Sequence, residues 1–356
     1  MLHTISAADA LARLAEFDTV IDARSPAEFA LDRLPDAQNW PSLNDEERRL
    51  VGTEYTQVSP FTARKLGAML VARNIAAHIE REVFDKPKGW RPLVYCWRGG
   101  QRSGALALVL GQIGFQVHLL EGGYREYRRA VRAALDELPQ RFDYRVVYGS
   151  TGSGKSRLLH ALQASGAQVL DLEALANHRG SVLGLVPGQH QPSQKQFESR
   201  VWNALRHFDP ERPVFVESES KKVGDLRVPP MLIERMRGAR CIRLELPLDA
   251  RVALLLGEYD FFVRNTALFC ERLDALRARC GNEVVNAWQK VARVGPIADV
   301  VRELLLRHYD PIYTQSLKRN FSGVTQPHLE VAWDGSAASL EQAARTVLAH
   351  AAPAAK

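Results

Sequence analysis

The sequence predicts two α/β domains in tandem, each built on a parallel sheet, with a helical extension on the second. Three observations carry that prediction. The chain has 356 residues, long for one core and sufficient for two. Short apolar runs of strand length alternate with helix-length patterns, as parallel α/β sheets require. A strand, a glycine-containing loop and a helix follow one another twice, at residues 94–110 and 144–162. Composition excludes other classes. With 46% hydrophobic and 25% charged residues the chain is too apolar to be disordered. No apolar run nears the roughly 20 residues that span a bilayer. Asp9 and Glu16 stand where a signal peptide would be apolar, so a cytoplasmic location is expected.

The first domain is placed at residues 1–123. There, 18–22 and 92–95 read as buried parallel strands. Residues 61–82 read as a long helix. SGALALVLGQIG, after Arg102, reads as a helix stopped by Gly114, and 115–120 return as a strand. Residues 124–140 form a charged amphipathic linker helix closed by Pro139. The second domain, 141–350, opens with a strand at 144–148 and has strand candidates at 168–172, 214–217 and 241–246. From about 248 to 317 the pattern is mainly helical. The connection at 176–205 is rich in Gly, Pro, Gln and His and long enough to suggest function. His178, Arg179, Gly180 and Ser181 are substrate candidates there, against a plain loop reading. Gln194, Gln196 and Phe197 begin the next helix.

The segment VYCWRGGQRSGALALVL ends a strand at Cys96 and starts a helix near Arg102. Backbone N–H groups in such a turn form an anion nest, and the helix N-terminus adds partial positive charge. Arg98 and Arg102 add formal charge, and Gly99 and Gly100 permit the turn. Together these favour a Cys96 thiolate, a nucleophile for sulfur, selenium or phosphorus centres. The plainer alternative is an inert buried cysteine. The other cysteines, Cys241, Cys270 and Cys280, make no zinc spacing with it.

The second loop reads G-x-x-x-x-G-K-S from Gly149 to Ser156, after a strand and before a helix. Amides around Gly152, Ser153 and Gly154 would cradle a diphosphate. Lys155 would meet its terminal phosphate, and the Ser156 hydroxyl would ligate Mg²⁺. The acidic partner is open. Glu217 or Glu219, at the end of VFVESES, would hold the metal; Asp171 and Glu173 are alternatives. An ATPase normally has Asp at that strand end, so its absence weakens ATP hydrolysis.

The net charge is +6, and residues 221–319, with 18 Lys/Arg against 12 Asp/Glu, carry an equal surplus. A basic region suits a polyanion such as RNA; a solvated helical surface is the plainer reading. Lys221, Lys222 and Arg264 are phosphate-contact candidates. Trp97, Tyr259, Phe261 and Phe262 are stacking candidates for a base, although aromatics at helical spacing more often pack in a core.

Residues 4–130 resemble the rhodanese family, through DARSPAEFALDRLPDAQNWP, the Cys96 loop and GFQVHLLEGGYREY. The Gly-His pair usual in the first motif is absent. Single-domain rhodaneses place an arginine five positions after the cysteine; here Arg102 is six after Cys96, as in dual-specificity phosphatases of that superfold. The longer loop suits a phosphate-sized anion. The order DARSPAEF, YCWRGGQRSG, EGGYREYR, GSTGSGKS, LANHRGS and VESESKKVGDLRVP is similar to the bacterial tRNA 2-selenouridine synthase family, to about Tyr313. The fold implied is a rhodanese-like domain followed by a P-loop NTPase-like domain. The resemblance implies a selenium and geranyl transferase on the wobble 2-thiouridine of tRNA, using geranyl diphosphate and then selenophosphate. Cys96 would carry selenium as a selenylsulfide, and Arg98, Gly99, Gly100 and Arg102 would bind selenophosphate. No tightly bound cofactor is implied. The enzyme that makes selenophosphate is a candidate partner. Three rivals stand beside it. One is a sulfurtransferase coupled to a nucleotide-dependent kinase. Another is a Cys96 phosphatase with Asp22 or Asp32 as general acid. The third is a non-enzymatic RNA-binding regulator.

Overall fold

The computed structural model describes residues 2–180, 188 and 190–351; Ser181 lies outside them. The chain divides into two units, Met1–Leu135 with Pro192–Asn203, and Asp136–Gln191 with Ala204–Lys356.

The first unit is built on five strands: β1 (Leu2–Ile5), β2 (Thr19–Asp22), β3 (Ala37–Asn39), β4 (Pro92–Tyr95) and β5 (Val117–Leu120). All pair in parallel, in the order β1-β5-β4-β2-β3. β2 and β4 are buried along their whole length, as inner strands of a parallel sheet are. A helical hairpin, Asp45–Gln57 and Pro60–Glu82, fills the connection from β3 to β4. Asn44 caps the first helix and Ser59 the second. The short edge strands β1 and β3 and the helix Asp45–Gln57 carry too weak a pattern to be read from sequence. Ile21, Val94, Trp40, Trp90, Leu106 and Val117 form the core.

The second unit is built on β6 (Tyr144–Tyr148), β7 (Gln168–Leu170), β8 (Val214–Glu217), the short hairpin β9 (Lys222–Val223) with β10 (Leu226–Arg227), β11 (Arg240–Glu245) and β12 (Leu329–Ala332). Its main sheet is parallel, in the order β12-β11-β6-β8-β7. Val147, Leu158, Phe215, Ile242, Leu244 and Trp333 are in its core. A separate apolar cluster around Phe262, Phe269, Leu273, Trp288 and Leu304 holds the helical extension together.

In each sheet the strand before the glycine loop, β4 or β6, is the middle one of five. Neighbours on its two sides are reached by connections running in opposite directions, so its carboxyl end is a switch point where a crevice opens.

The joint differs from the sequence reading. The helix Gly123–Glu137 passes into a short 3-10 turn, Leu138–Arg141, and all of it up to Leu135 belongs to the first unit. Residues 192–203, placed by sequence in the second domain, pack with the first. Arg128 donates to Ser199 Oγ at 3.1 Å and pairs with Glu198, and Tyr127 meets Trp202 edge-on at 5.9 Å.

Candidate active site

Cys96 follows β4 directly and is almost fully buried. Its Sγ accepts a hydrogen bond from Ser103 Oγ at 3.0 Å, from the first turn of the helix Gln101–Ile113. The loop takes its shape from a neighbouring turn. Tyr124 N donates to Cys96 O at 2.8 Å and Arg125 N to Trp97 O at 3.2 Å. That approach needs Gly123, whose φ is +60° and whose Cβ would stand 2.3 Å from Cys96 O. Gly99, at φ +67°, faces Leu120 O in the same way. The sequence showed EGGY as the turn after the last strand; its role as the platform of the cysteine loop, and the thiol contact of Ser103, were missed.

Of the two arginines expected to hold an oxyanion, Arg98 is exposed and Arg102 is ion-paired. Arg102 Nη1 donates to Glu28 Oε2 at 2.8 Å, and Arg48 meets the same oxygen at 3.3 Å. Burial raises the Glu28 carboxyl, but the Arg102 bond and charge outweigh it and leave it below the usual range. Trp97 is half-buried against the Tyr124 ring at 5.3 Å, so its stacking face is partly used within the fold.

The two acids proposed for phosphatase chemistry are structural. Asp22 is fully buried and takes Arg24 on both oxygens, with Tyr95 OH at 2.7 Å. Asp32 is fully buried and accepts from Tyr124 OH at 2.8 Å.

The phosphate-binding loop joins β6 to the helix Lys155–Ala164. Gly152 (φ +76°) and Gly154 (φ +85°) are left-handed; a Cβ on Gly154 would stand 2.3 Å from the Trp333 ring. Trp333 Nε1 donates to Ser153 O at 2.8 Å, and Arg251, paired with Asp310, donates to Thr151 O at 2.9 Å. Two loop carbonyls are thus held from outside, which holds the loop shape. Ser153 departs from its expected role in part: its hydroxyl is buried and its N–H donates to Ser150 O. Lys155 Nζ donates to Gly149 O at 3.1 Å and sits 5.0 Å from the centre of the Tyr313 ring.

The acid that meets Ser156 is Glu173, an alternative in the sequence reading, with Oε2 3.1 Å from Ser156 Oγ. Glu219 shares a hydrogen bond with Glu173; burial and the neighbouring Glu173 push it up to about 8. Glu217 is buried and does not line the cavity described below. Its Oε1 accepts from Glu173 N at 2.9 Å, and its Oε2 has no hydrogen-bond partner among the described residues. Gly180 (φ +65°) closes on the Glu173 and Glu219 carboxylates. These oxygens fit Mg²⁺, which uses one or two carboxylates plus ligand phosphates, not a full protein cage. Among the described residues no cluster of three His, Cys, Asp or Glu forms such a cage.

The loop opens on a cavity of about 1300 Å³. His178, Arg179 and Lys222 line it. His178 is buried, its Nδ1 accepting from Gly180 N at 3.1 Å, and burial lowers its pKa. Arg179 donates to Glu258 O at 2.5 Å and lies over the Tyr259 ring. Lys221 and Arg264 are exposed, Arg264 paired with Asp260. Phe262 is buried in the helical core, the plainer of its two readings, with Tyr259 and Phe261 packed against it; Phe262 and Tyr259 also line the cavity. Among the described residues no helix is long and apolar enough to cross a membrane.

Comparison with known proteins matches two consecutive stretches of the chain, the second of which includes residues 192–203. Residues 6–130 match the rhodanese-like domain and 142–275 match the tRNA 2-selenouridine synthase AAA domain. The tRNA 2-selenouridine synthase of Nitrosomonas europaea is 38% identical over 246 residues, 67% of this chain and 63% of that relative, less than two thirds of its length. That of Hydrogenovibrio crunogenus is 32% identical over 348 residues, 85% of this chain and 92% of the relative. That of Shewanella piezotolerans is 34% identical over 350 residues, 89% and 94%.

Proposed function

Because this chain belongs to the tRNA 2-selenouridine synthase family, we propose that it replaces the sulfur of a wobble 2-thiouridine in tRNA by selenium, in two steps served by its two loops. The observation that carries this reading is the pairing of two anion cradles in one chain. One presents the Cys96 thiol and the other presents Lys155 and Ser156.

At the second loop the thiouridine sulfur attacks C1 of geranyl diphosphate. A C–S bond forms, the C1–O bond breaks and diphosphate leaves, while the base loses its N3 proton. Lys155 and the loop amides take up the charge that grows on the departing diphosphate. Ser156 with Glu173 or Glu219 would hold Mg²⁺, which would neutralise more of that charge. Alkylation matters because it turns a poor leaving group into one that departs as a thiol.

At the first loop the Cys96 thiolate attacks selenophosphate. Attack on selenium would give the selenylsulfide the sequence suggested. It would also reduce phosphorus to phosphite and need an outside thiol to free the selenium. Attack on phosphorus breaks the P–Se bond, leaves phosphorus oxidised as a cysteinyl phosphate and releases selenide. Water returns the cysteine and phosphate. Selenide then adds to C2 of the base and geranylthiol leaves. We favour attack on phosphorus, because it needs no further reductant.

The test uses the full chain, a 2-thiouridine anticodon stem-loop and geranyl diphosphate without ATP, with the RNA read by mass spectrometry. A geranyl increment is expected, then conversion to selenouridine on adding selenophosphate, with phosphate as the phosphorus product. Unchanged RNA accompanied by ATP hydrolysis, when ATP is supplied, would promote the kinase-coupled sulfurtransferase instead.

A further inference from the structure

We infer that the apolar wall of the cavity beside the phosphate-binding loop is the seat of the isoprenoid chain, which runs from Leu255 along Val263, Ile297, Val301 and Ile312. The inference rests on the alkylation reading above and specifies where its donor lies.

The wall begins at the loop itself. A Cβ on Gly152 would come within 2.8 Å of Leu255 Cδ1, so an apolar side chain touches the loop that would hold the diphosphate. From there the cavity is lined by Val263 of the helix Asp260–Arg264, by Ile297 and Val301 of the helix Ile297–Leu304, and by Ile312 of the helix Asp310–Asn320. Val263 is 45% exposed and Ile312 43% exposed, and both face this space. Apolar groups grouped on a concave wall, next to a site for a charged head, mark a surface that a ligand covers. A nucleotide would set the polar edges of its base against valine and isoleucine, where they lose their hydrogen bonds to water. A hydrocarbon tail loses none.

The cavity, at about 1300 Å³, exceeds the roughly 300–1,000 Å³ of single small-ligand sites. It has room for a chain and for the base that accepts it. Arg272 and Arg279 also reach the cavity, which places cationic side chains on it for the phosphates of an RNA.

The test measures equilibrium binding of the full chain to inorganic diphosphate, dimethylallyl diphosphate, geranyl diphosphate and ADP. Affinity should rise with chain length, with geranyl diphosphate at least about tenfold tighter than diphosphate, since each buried methylene adds to binding. Val301→Trp should erase most of that gain and leave diphosphate binding unchanged. Val263→Asp, at a position exposed enough to tolerate a charge, should do the same to a smaller degree. Equal affinity for diphosphate and geranyl diphosphate in the unaltered protein would overturn this inference while sparing the phosphate-binding loop. Tighter binding of ADP than of geranyl diphosphate would overturn it in favour of a nucleotide. Failure to bind any of the four would count against the diphosphate reading itself.

Discussion

The cysteine loop and the phosphate-binding loop are the same device built twice with opposite chemistry. Each leaves the middle strand of a five-stranded parallel sheet, turns through left-handed glycine and enters a helix. Each is held from outside the loop, the first by the backbone of the Gly123 turn and the second by Trp333 and Arg251. They differ in what they present. The first offers a buried thiol, and Arg102, in the first turn of the helix that follows, is ion-paired with Glu28. The second offers a lysine with no carboxylate bonded to it among the described residues, beside a cluster of acids. In the proposed reaction the same strand–loop–helix form would supply a nucleophile at one site and charge stabilisation at the other. What decides between them is a single side chain and its immediate partners.

The largest effect should come from exchanging those side chains for inert ones. Cys96→Ser should lower selenium incorporation by about 10³-fold or more, while geranylation of the RNA continues. Lys155→Ala should lower geranylation by about 10²-fold or more, while alkylation of Cys96 by iodoacetamide keeps its rate. Loss of both steps in either variant would break the comparison, because the two loops would then act as one site.

The supports come next. Gly123→Ala should destabilise the first unit by about 1–3 kcal/mol, since it adds a clash with Cys96 O to a left-handed backbone. Gly154→Ala meets the Trp333 ring instead of backbone, so part of its cost can be relieved by side-chain movement. The Gly123 variant should show the greater fall in Tm by calorimetry. Equal falls would mean that the Trp333 support is as rigid as the turn.

These supports also show where sequence reading stops. Both loops were legible because each is a continuous run in which residue type, spacing and flanking elements agree. The buried ion pair of Asp22 and Arg24 was visible only as a motif, and its work in the fold became clear when Tyr95 met it. Glu173 could not be chosen over Glu217 and Glu219, because the choice depends on β7 lying beside β8 and on where each strand ends. Trp333 lies far from the loop in sequence and carries no motif. That residues 192–203 pack with the first unit was illegible for a similar reason: an amphipathic helix shows that it has a partner but not which one.

Acid and base should affect the two regions in opposite directions. Glu219 is raised from 4.5 to about 8, so its contribution to stability is complete below pH 4.5 and is lost as pH rises through about 8. Glu28 is lowered, so its contribution is present above 4.5 and is lost as pH falls through its folded value. Without ligands, Tm should decline between pH 5 and 8.5, and Glu219→Gln should flatten that decline. A decline unchanged in Glu219→Gln would assign it to another group.

The smallest expected effect tests the difference at its most local point. Glu28 Oε2 accepts both Arg102 and the Ser25 amide of its own helix cap, the latter at 3.2 Å. Glu28→Gln keeps an oxygen for the cap but removes the negative charge, so the fold should persist. If the pair merely occupies Arg102, releasing it adds one available cation to the Cys96 cradle. The KM for selenophosphate should then fall by about threefold with kcat unchanged, the size of a partly screened charge effect. If instead Glu28 holds Arg102 at the angle an oxyanion needs, the guanidinium will drift and KM will rise. In that case Glu28 does for Arg102 what Trp333 and Arg251 do for the phosphate-binding loop, and the two regions are alike in their supports as well as their shape.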